Sequence, residues 1–257
     1  VPTASFVRYL ESKSEKFSDL STISETVDYL TVDDATYAGV EACKMAIKYG
    51  HKVVLFINPW QIINRKPYYF NLLNSIIDNR EVDVYSFANR KFDLLNRNDV
   101  KTLRFLIKKQ LIKLSEDDAL TVVLEHGFKL KSKSTSLPKA CSTISLSDLR
   151  ELSLMGVQIG SHGWSHRSIS ALTQKELEND ILKSFDWISD NVDKLIKVYA
   201  VPFGAPTIPP QLEKKLKITS LLSDKQFNVG RASLRSWNRI EITDLLRSEY
   251  EDNSSNY

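Results

Sequence analysis

Lys52-Val-Val-Leu-Phe-Ile-Asn58, closed by Pro59-Trp60, decides the fold. Its apolar run has no polar alternation, the mark of a strand covered on both faces, as in a parallel sheet. Upstream, residues 27–32 form a shorter β-prone run ending at Asp33-Asp34. Between the two, from Thr36, a helical pattern makes Val40, Cys43, Met45 and Ile47 apolar and puts Gly50 in the C′ position where helices stop. Strand, helix and strand in that rhythm predict a parallel βαβ unit.

The same rhythm returns after residue 142. Ser147-Asp148 caps a short helix ended by Gly156, and residues 157–161 read as a strand. Thr173-Gln-Lys-Glu176 is a capping box opening a helix with Leu177, Ile181, Phe185, Ile188 and Val192 on one face. Residues 195–201 form a strand running into Pro202-Phe-Gly204, 209–217 a short helix, 218–222 a strand and 239–242 the last strand. Residues 61–141 are less regular, with helical patterns over 67–79, 100–114 and 115–126. With no independent run of strands, they read as a helical insertion in a single domain. Residues 1–26 read as an N-terminal arm with a short helix around Phe6 to Leu10, and 248–257 as a flexible tail.

Bulk properties fit a globular enzyme-sized core: 257 residues, 42% apolar and 26% charged. A net charge of +3 is too mild to imply nucleic acid, and no basic-aromatic ladder suggests a single-strand binder. Two cysteines cannot make a disulfide framework, and Cys43 reads as a core thiol, which fits a reducing compartment. No apolar run approaches the ~20 residues of a membrane span. The opening Val-Pro-Thr-Ala-Ser lacks the features of a secretion signal, so the expectation is a cytoplasmic, non-membrane-spanning protein. No glycine-rich phosphate loop is present.

Three polar motifs share one position. Asp33-Asp34, His162-Gly-Trp-Ser-His166 and Pro202-Phe-Gly204 each follow a predicted strand. In a barrel of parallel strands all strand C-termini open onto one face, so residues remote in sequence converge there. Each motif alone has a plain reading: a helix cap, an incidental histidine pair, a turn. Their shared placement favours function. Two imidazoles and one carboxylate can bind a zinc-like ion, and histidines four residues apart on a helical turn point the same way. The second carboxylate is then free to move protons.

At these residues the sequence resembles the NodB-homology polysaccharide deacetylases, carbohydrate esterase family four. Thr31-Val-Asp-Asp-Ala35 is similar to the family's Thr-Phe-Asp-Asp-Gly motif. Ser161-His-Gly-Trp-Ser-His166 is similar to its Ser-His-Thr-x-x-His motif, and Tyr199-Ala-Val-Pro-Phe-Gly204 to a variant of its third motif. The resemblance implies an α/β fold, a distorted (β/α)7 barrel. It implies Asp34, His162 and His166 as ligands of a divalent metal (zinc first, with cobalt, nickel and manganese as alternatives) and Asp33 as catalytic base. It further implies the Phe203 N–H as an oxyanion donor and an N-acylated amino sugar or glycan as substrate.

This chain departs from the family at three places. Ala35 replaces glycine. The third motif lacks the arginine that orients the base in many members. No histidine follows His166, where many members carry a late general acid. Asp224, just past the strand at 218–222, or Asp33 acting twice would then protonate the leaving amine. Asn58, Trp60, Trp164 and Pro202 are placed to line the substrate mouth, although Trp164 reads equally as packing over the metal loop. The Lys/Arg run of 101–113 is a solvated helix face or a pyrophosphate contact, and His126 a surface or capping residue. Two other functions stand beside deacetylation: hydrolysis of cyclic amides on the same fold, and non-catalytic carbohydrate binding.

Overall fold

A computed structural model describes residues 3–21, 28–204, 206–222 and 236–239. Among these residues six parallel strands make one sheet, in the order β1 (Thr31–Asp33), β2 (Val54–Ile57), β5 (Gln158–Ser161), β6 (Leu195–Ala200), β7 (Thr219–Leu222) and β8 (Ser236–Asn238). Around it lie α1 (Thr3–Ser12), α2 (Tyr37–Lys48), α3 (Pro59–Asn64), α4 (Tyr69–Asp78), α5 (Arg97–Leu111), α6 (Glu116–Lys129), α7 (Leu146–Leu154), α8 (Gln174–Asn191) and α9 (Pro210–Leu216). A separate antiparallel hairpin pairs β3 (Val84–Phe87) with β4 (Arg90–Asp93). Among the described residues no helix is long and apolar enough to cross a membrane.

Alternation along the strands gives the sheet two apolar faces. Leu55, Ile57 and Ile159 pack outward against α2 and α7, in a cluster that includes Val40, Cys43, Leu149 and Leu152. Val54, Phe56, Val198, Ala200 and Leu221 make a second cluster with Leu20 on the other face. The sheet curls around this inner face into a half-barrel. Arg239, directly after β8, reaches Thr31 and Asp33 of β1, so the outermost strands meet at their C-terminal ends.

Gly160 makes the curl possible. A Cβ there would fall 2.3 Å from the Phe56 ring, a contact that no side chain could accept. Phe56 in turn lies under Arg239, 5.7 Å from ring centroid to guanidinium carbon.

The N-terminal segment closes the opposite end. Phe6, Tyr9 and Leu10 of α1 are buried in the main core. Buried His51 ties the segment down, receiving the Phe17 N–H at Nδ1 (3.3 Å) with Nε2 facing the Leu10 carbonyl (3.0 Å). Gln158, first residue of β5, accepts from the Leu20 N–H at 2.9 Å. The segment expected as an arm is thus docked against the sheet.

Residues 66–130 build a core of their own, with Leu72, Leu73, Ile76, Phe92, Leu103, Ile107, Leu111 and Val123 buried together. The hairpin was not foreseen. Ala88 and Asn89 turn it with positive φ (51° and 59°), the backbone of a two-residue hairpin loop. His126 is buried, not at the surface: its Nδ1 lies 2.6 Å from the Tyr85 hydroxyl, fastening the hairpin to α6. Among the described residues the sheet ends in β8, directly before the strand expected at 239–242, of which residues 240–242 lie outside the described set.

Candidate active site

The three strand-end motifs converge. Asp34 Oδ1 lies 3.8 Å from His162 Nε2 and 3.6 Å from His166 Nε2. These distances are too long for hydrogen bonds. They are close to the roughly 3.4 Å that separates two donors held about 2.1 Å from one tetrahedral ion. Asp34 Oδ1 and His166 Nδ1 are buried with no hydrogen-bond partner among the described residues. A buried carboxylate oxygen is costly to leave unpaired, and a cation is a partner that this donor set would fit.

The fit extends to protonation. His162 Nδ1 lies 2.8 Å from the Ala200 carbonyl, so it carries the hydrogen and Nε2 presents its lone pair. Burial pushes His162 below the usual imidazole range, and burial with the neighbouring His162 pushes His166 further down. Both shifts favour the neutral ring, the form a ligand needs. Burial, followed by the charges of Asp33 and Glu116, drives Asp34 well above the usual carboxylate range.

Asp33 is held in the opposite state. Burial would raise it, but Arg239 and the facing imidazoles outweigh that and bring it down to about 2. Arg239 grips it with two bonds, Nη1 to Oδ1 at 2.6 Å and Nη2 to Oδ2 at 2.8 Å. The arginine missing from the third motif therefore has a counterpart just past another strand, 206 residues from Asp33 in sequence. Asp33 Oδ2 lies 3.9 Å from His162 Nε2, beside the three-donor cluster.

The loops are pinned by strained backbone and buried bonds. Asp34 (φ 67°), His166 (φ 59°) and Phe203 (φ 61°) all adopt the left-handed conformation, one from each motif. The histidine segment is not the helical turn that its spacing suggested; the turn at Gly163 (φ 82°) and the one at His166 bring the rings together. Gly163 also leaves little room for a side chain: a Cβ would lie 3.0 Å from Asp180 and 3.1 Å from the Tyr199 hydroxyl. Asp180 on α8 accepts the Trp164 N–H at 2.8 Å, and burial raises its carboxyl to about 6.

Tyr68 and Asn58 brace this arrangement. Tyr68 is fully buried; its hydroxyl accepts the Ala35 N–H (2.9 Å) and donates to Asn58 Oδ1 (3.0 Å). Asn58 Nδ2 donates to the carbonyls of His162 and Gly163. Asn58 therefore braces the histidine loop and does not line the mouth, its amide being bonded on both sides. Trp164 is half-buried with Lys183 Nζ 3.8 Å from its ring centroid, which makes the packing reading the better one. Trp60 joins the apolar cluster of the helical segment and donates its N–H to the Trp164 carbonyl at 2.9 Å. Pro202 is buried, while Phe203 is 40% exposed with its ring centroid 4.6 Å from that of His166. Asp224 lies outside the described residues.

Sequence reasoning missed Arg239, Tyr68, Asp180 and Glu116. Glu116, at the start of α6, is buried, and its Oε1 accepts the Tyr69 N–H at 3.3 Å. Burial raises its carboxyl to about 8. It neighbours Gln61, which donates to the Ser165 carbonyl at 3.3 Å and so links the helical segment to the histidine loop.

Comparison with known proteins agrees with this architecture. Residues 78–220 match the polysaccharide deacetylase family. That span includes both histidines and Pro202-Phe-Gly204, together with most of the helical segment. The chain belongs to the polysaccharide deacetylase family. Among solved structures, the BpsB deacetylase domain of Bordetella bronchiseptica shares the fold, with TM-score 0.51 and 11% identity over 93% of this chain and 83% of that one. The deacetylase PplD of Streptococcus pyogenes, solved with acetate, has TM-score 0.49 and 13% identity, covering 93% of this chain and 72% of that one. A de-N-acetylase of Aggregatibacter actinomycetemcomitans has TM-score 0.42 and 14% identity, covering 93% and 76%. No curated relative matches the sequence.

Proposed function

We propose that the protein is a metal-dependent hydrolase that removes an N-acyl group, acetyl or formyl, from an amino sugar within a glycan or glycan precursor. The observation that carries this reading is the meeting of Asp34 Oδ1, His162 Nε2 and His166 Nε2 around one point, with an ionised Asp33 beside them. Family membership supports the substrate class.

Asp34, His162 and His166 would hold the ion, zinc being the best match to two imidazoles and one carboxylate, with cobalt, nickel and manganese as alternatives. When bound, such an ion supplies Lewis acidity to the amide carbonyl and to the attacking water. Asp33 takes the proton of that water. Arg239 holds its two oxygens in place and stops it from becoming a ligand of uncertain orientation. The turn at Phe203 presents its N–H toward the developing oxyanion. Asp33 then returns its proton to the leaving amine, or Asp224 supplies one.

The test is turnover of N-acetylated amino-sugar oligomers and a cyclic-amide panel by protein loaded with zinc or cobalt. Acetate release from the oligomers is the expected result. Turnover of cyclic amides alone would move the protein to that other reaction, and sugar binding with full metal and no product would make it a carbohydrate binder.

A further inference from the structure

A second charged site lies outside the strand-end mouth. Arg97, Lys101, Arg104 and Lys108 recur at helical spacing along α5 and, with Arg80 just past the end of α4, line a cavity of about 700 Å³. One acid, Asp78, lines it as well, and that acid is already paired with Arg104. No ion pair among the described residues engages Arg97, Lys101 or Lys108. Arg80 is held rigidly, its guanidinium donating to the carbonyls of Ile77 (2.7 Å) and Leu94. The Arg104 Nε is buried with no partner among the described residues.

With Asp78 their one acid, five cations around one cavity keep an excess of positive charge that a bound anion would offset. The effect is visible at Lys108, whose ammonium is lowered by burial and then by Arg104. A solvated helix face would spread such residues into water; here Arg80, Arg104 and Lys108 are half-buried and one nitrogen lacks its acceptor among the described residues. Arginine forks suit phosphate oxygens in particular. The cavity also borders the mouth: Lys108 Nζ lies 5.9 Å from the Phe70 ring centroid, and that ring lies 5.3 Å from His166. One aromatic ring separates the two sites, within reach of a short saccharide.

We propose that this cavity is a phosphate subsite, binding a phosphate ester carried by the glycan whose N-acyl group lies at the strand-end mouth. The proposal deepens the hydrolase reading and rests on it for the identity of the sugar, though not for the anion site. The phosphate could be a phosphodiester in a polymer or the pyrophosphate of a lipid carrier. Leu95 and Phe105 at the cavity, 73% and 62% exposed, would favour the second source.

The test begins with inorganic phosphate bound to zinc-loaded protein, followed by phosphorus NMR, for wild type and for Arg97→Glu/Lys101→Glu. Both residues are exposed, so the variant is expected to fold. The charge reversal should weaken phosphate binding about tenfold or more, and salt should weaken the wild type likewise. Equal binding by both proteins would overturn the proposal, because the anion would then lie elsewhere, at the metal for example. In turnover, an N-acetylated oligomer bearing a phosphate ester should show a lower KM than its neutral twin, and the variant should erase that preference while leaving the neutral substrate unchanged. Loss of phosphate binding in the variant without any turnover by the wild type would uphold the anion site and overturn the hydrolase reading. An isoprenyl pyrophosphate that binds tighter than phosphate, and loses that gain in Leu95→Ser/Phe105→Ser, identifies the lipid carrier as source. No such gain identifies the polymer phosphodiester.

Discussion

The strand-end mouth and the cavity on α5 both collect charge, in opposite ways. At the mouth both imidazoles are buried, and half-buried Asp33 is fixed by two short bonds from Arg239. Along α5 the cations are partly exposed and mostly unpaired. The mouth is pre-organised: left-handed residues and buried hydrogen bonds set its geometry before any ligand arrives. The cavity works by field and accumulates small contributions. Single substitutions at the mouth should therefore have large, salt-insensitive effects, and those at the cavity graded, salt-sensitive ones.

The largest effect expected short of losing the ion is at Asp33. Asp33→Asn should keep its metal, by elemental analysis, and lose deacetylation by roughly 10²–10⁴-fold, the usual contribution of a positioned base. An unchanged rate would remove the distinction between Asp33 and Asp34.

Arg239→Met should lower kcat about 10–100-fold, as loss of an orienting partner does. The pH profile carries the sign. Arg239 holds Asp33 down to about 2, so its removal raises Asp33, and the acidic limb of the rate should move to higher pH. Arg239→Lys should restore part of the charge effect without the fork. A uniform drop in rate with an unmoved limb would make Arg239 merely structural.

Gly160→Ala tests how far the mouth depends on the curl. The added methyl meets the Phe56 ring, so chemical denaturation should reveal a loss of about 1–3 kcal/mol, with the rate falling as Arg239 loses its support. Neutral stability would mean the sheet relaxes freely there.

The smallest effect concerns the link between the two regions. Glu116 is raised from 4.5 to about 8, so the folded chain binds its proton where the unfolded chain has released it. Its stabilising contribution is present below about pH 4.5 and is lost as pH rises through about 8. Glu116→Gln should flatten that decline and be more stable at pH 8 by roughly 1 kcal/mol. A steeper decline in the variant would reverse the sign assigned to this carboxyl.

The same contrast explains what the sequence made legible. A strand buried on both faces is an apolar run, so β2 stood out; β5, β6 and β7 followed from the βα rhythm, and the polar motifs at the ends of β1, β5 and β6 marked the mouth. Arg239 was not legible, because its partner lies across the curl of the sheet and no local pattern encodes that closure. Asn58 was read as lining the mouth from its strand-end position alone; only the tertiary contacts with Tyr68 and the His162 carbonyl gave its role. The hairpin at Val84–Phe87 and Arg90–Asp93 did carry a signal, in Asn89 between two alternating segments, but its strands are short and half exposed. On α5 the periodic cations were visible, whereas the cavity they share depends on Arg80 and Leu95 from other elements.

One measurement tests the central claim most directly: zinc soaked into crystals of the wild type and of His162→Ala, located by anomalous scattering. The account predicts one strong peak in the wild type, bonded to Asp34, His162 and His166 with Asp33 beside it and unbonded, and loss of that peak in the variant. A peak bonded to Asp33 in place of Asp34, or zinc bound only elsewhere, would contradict it.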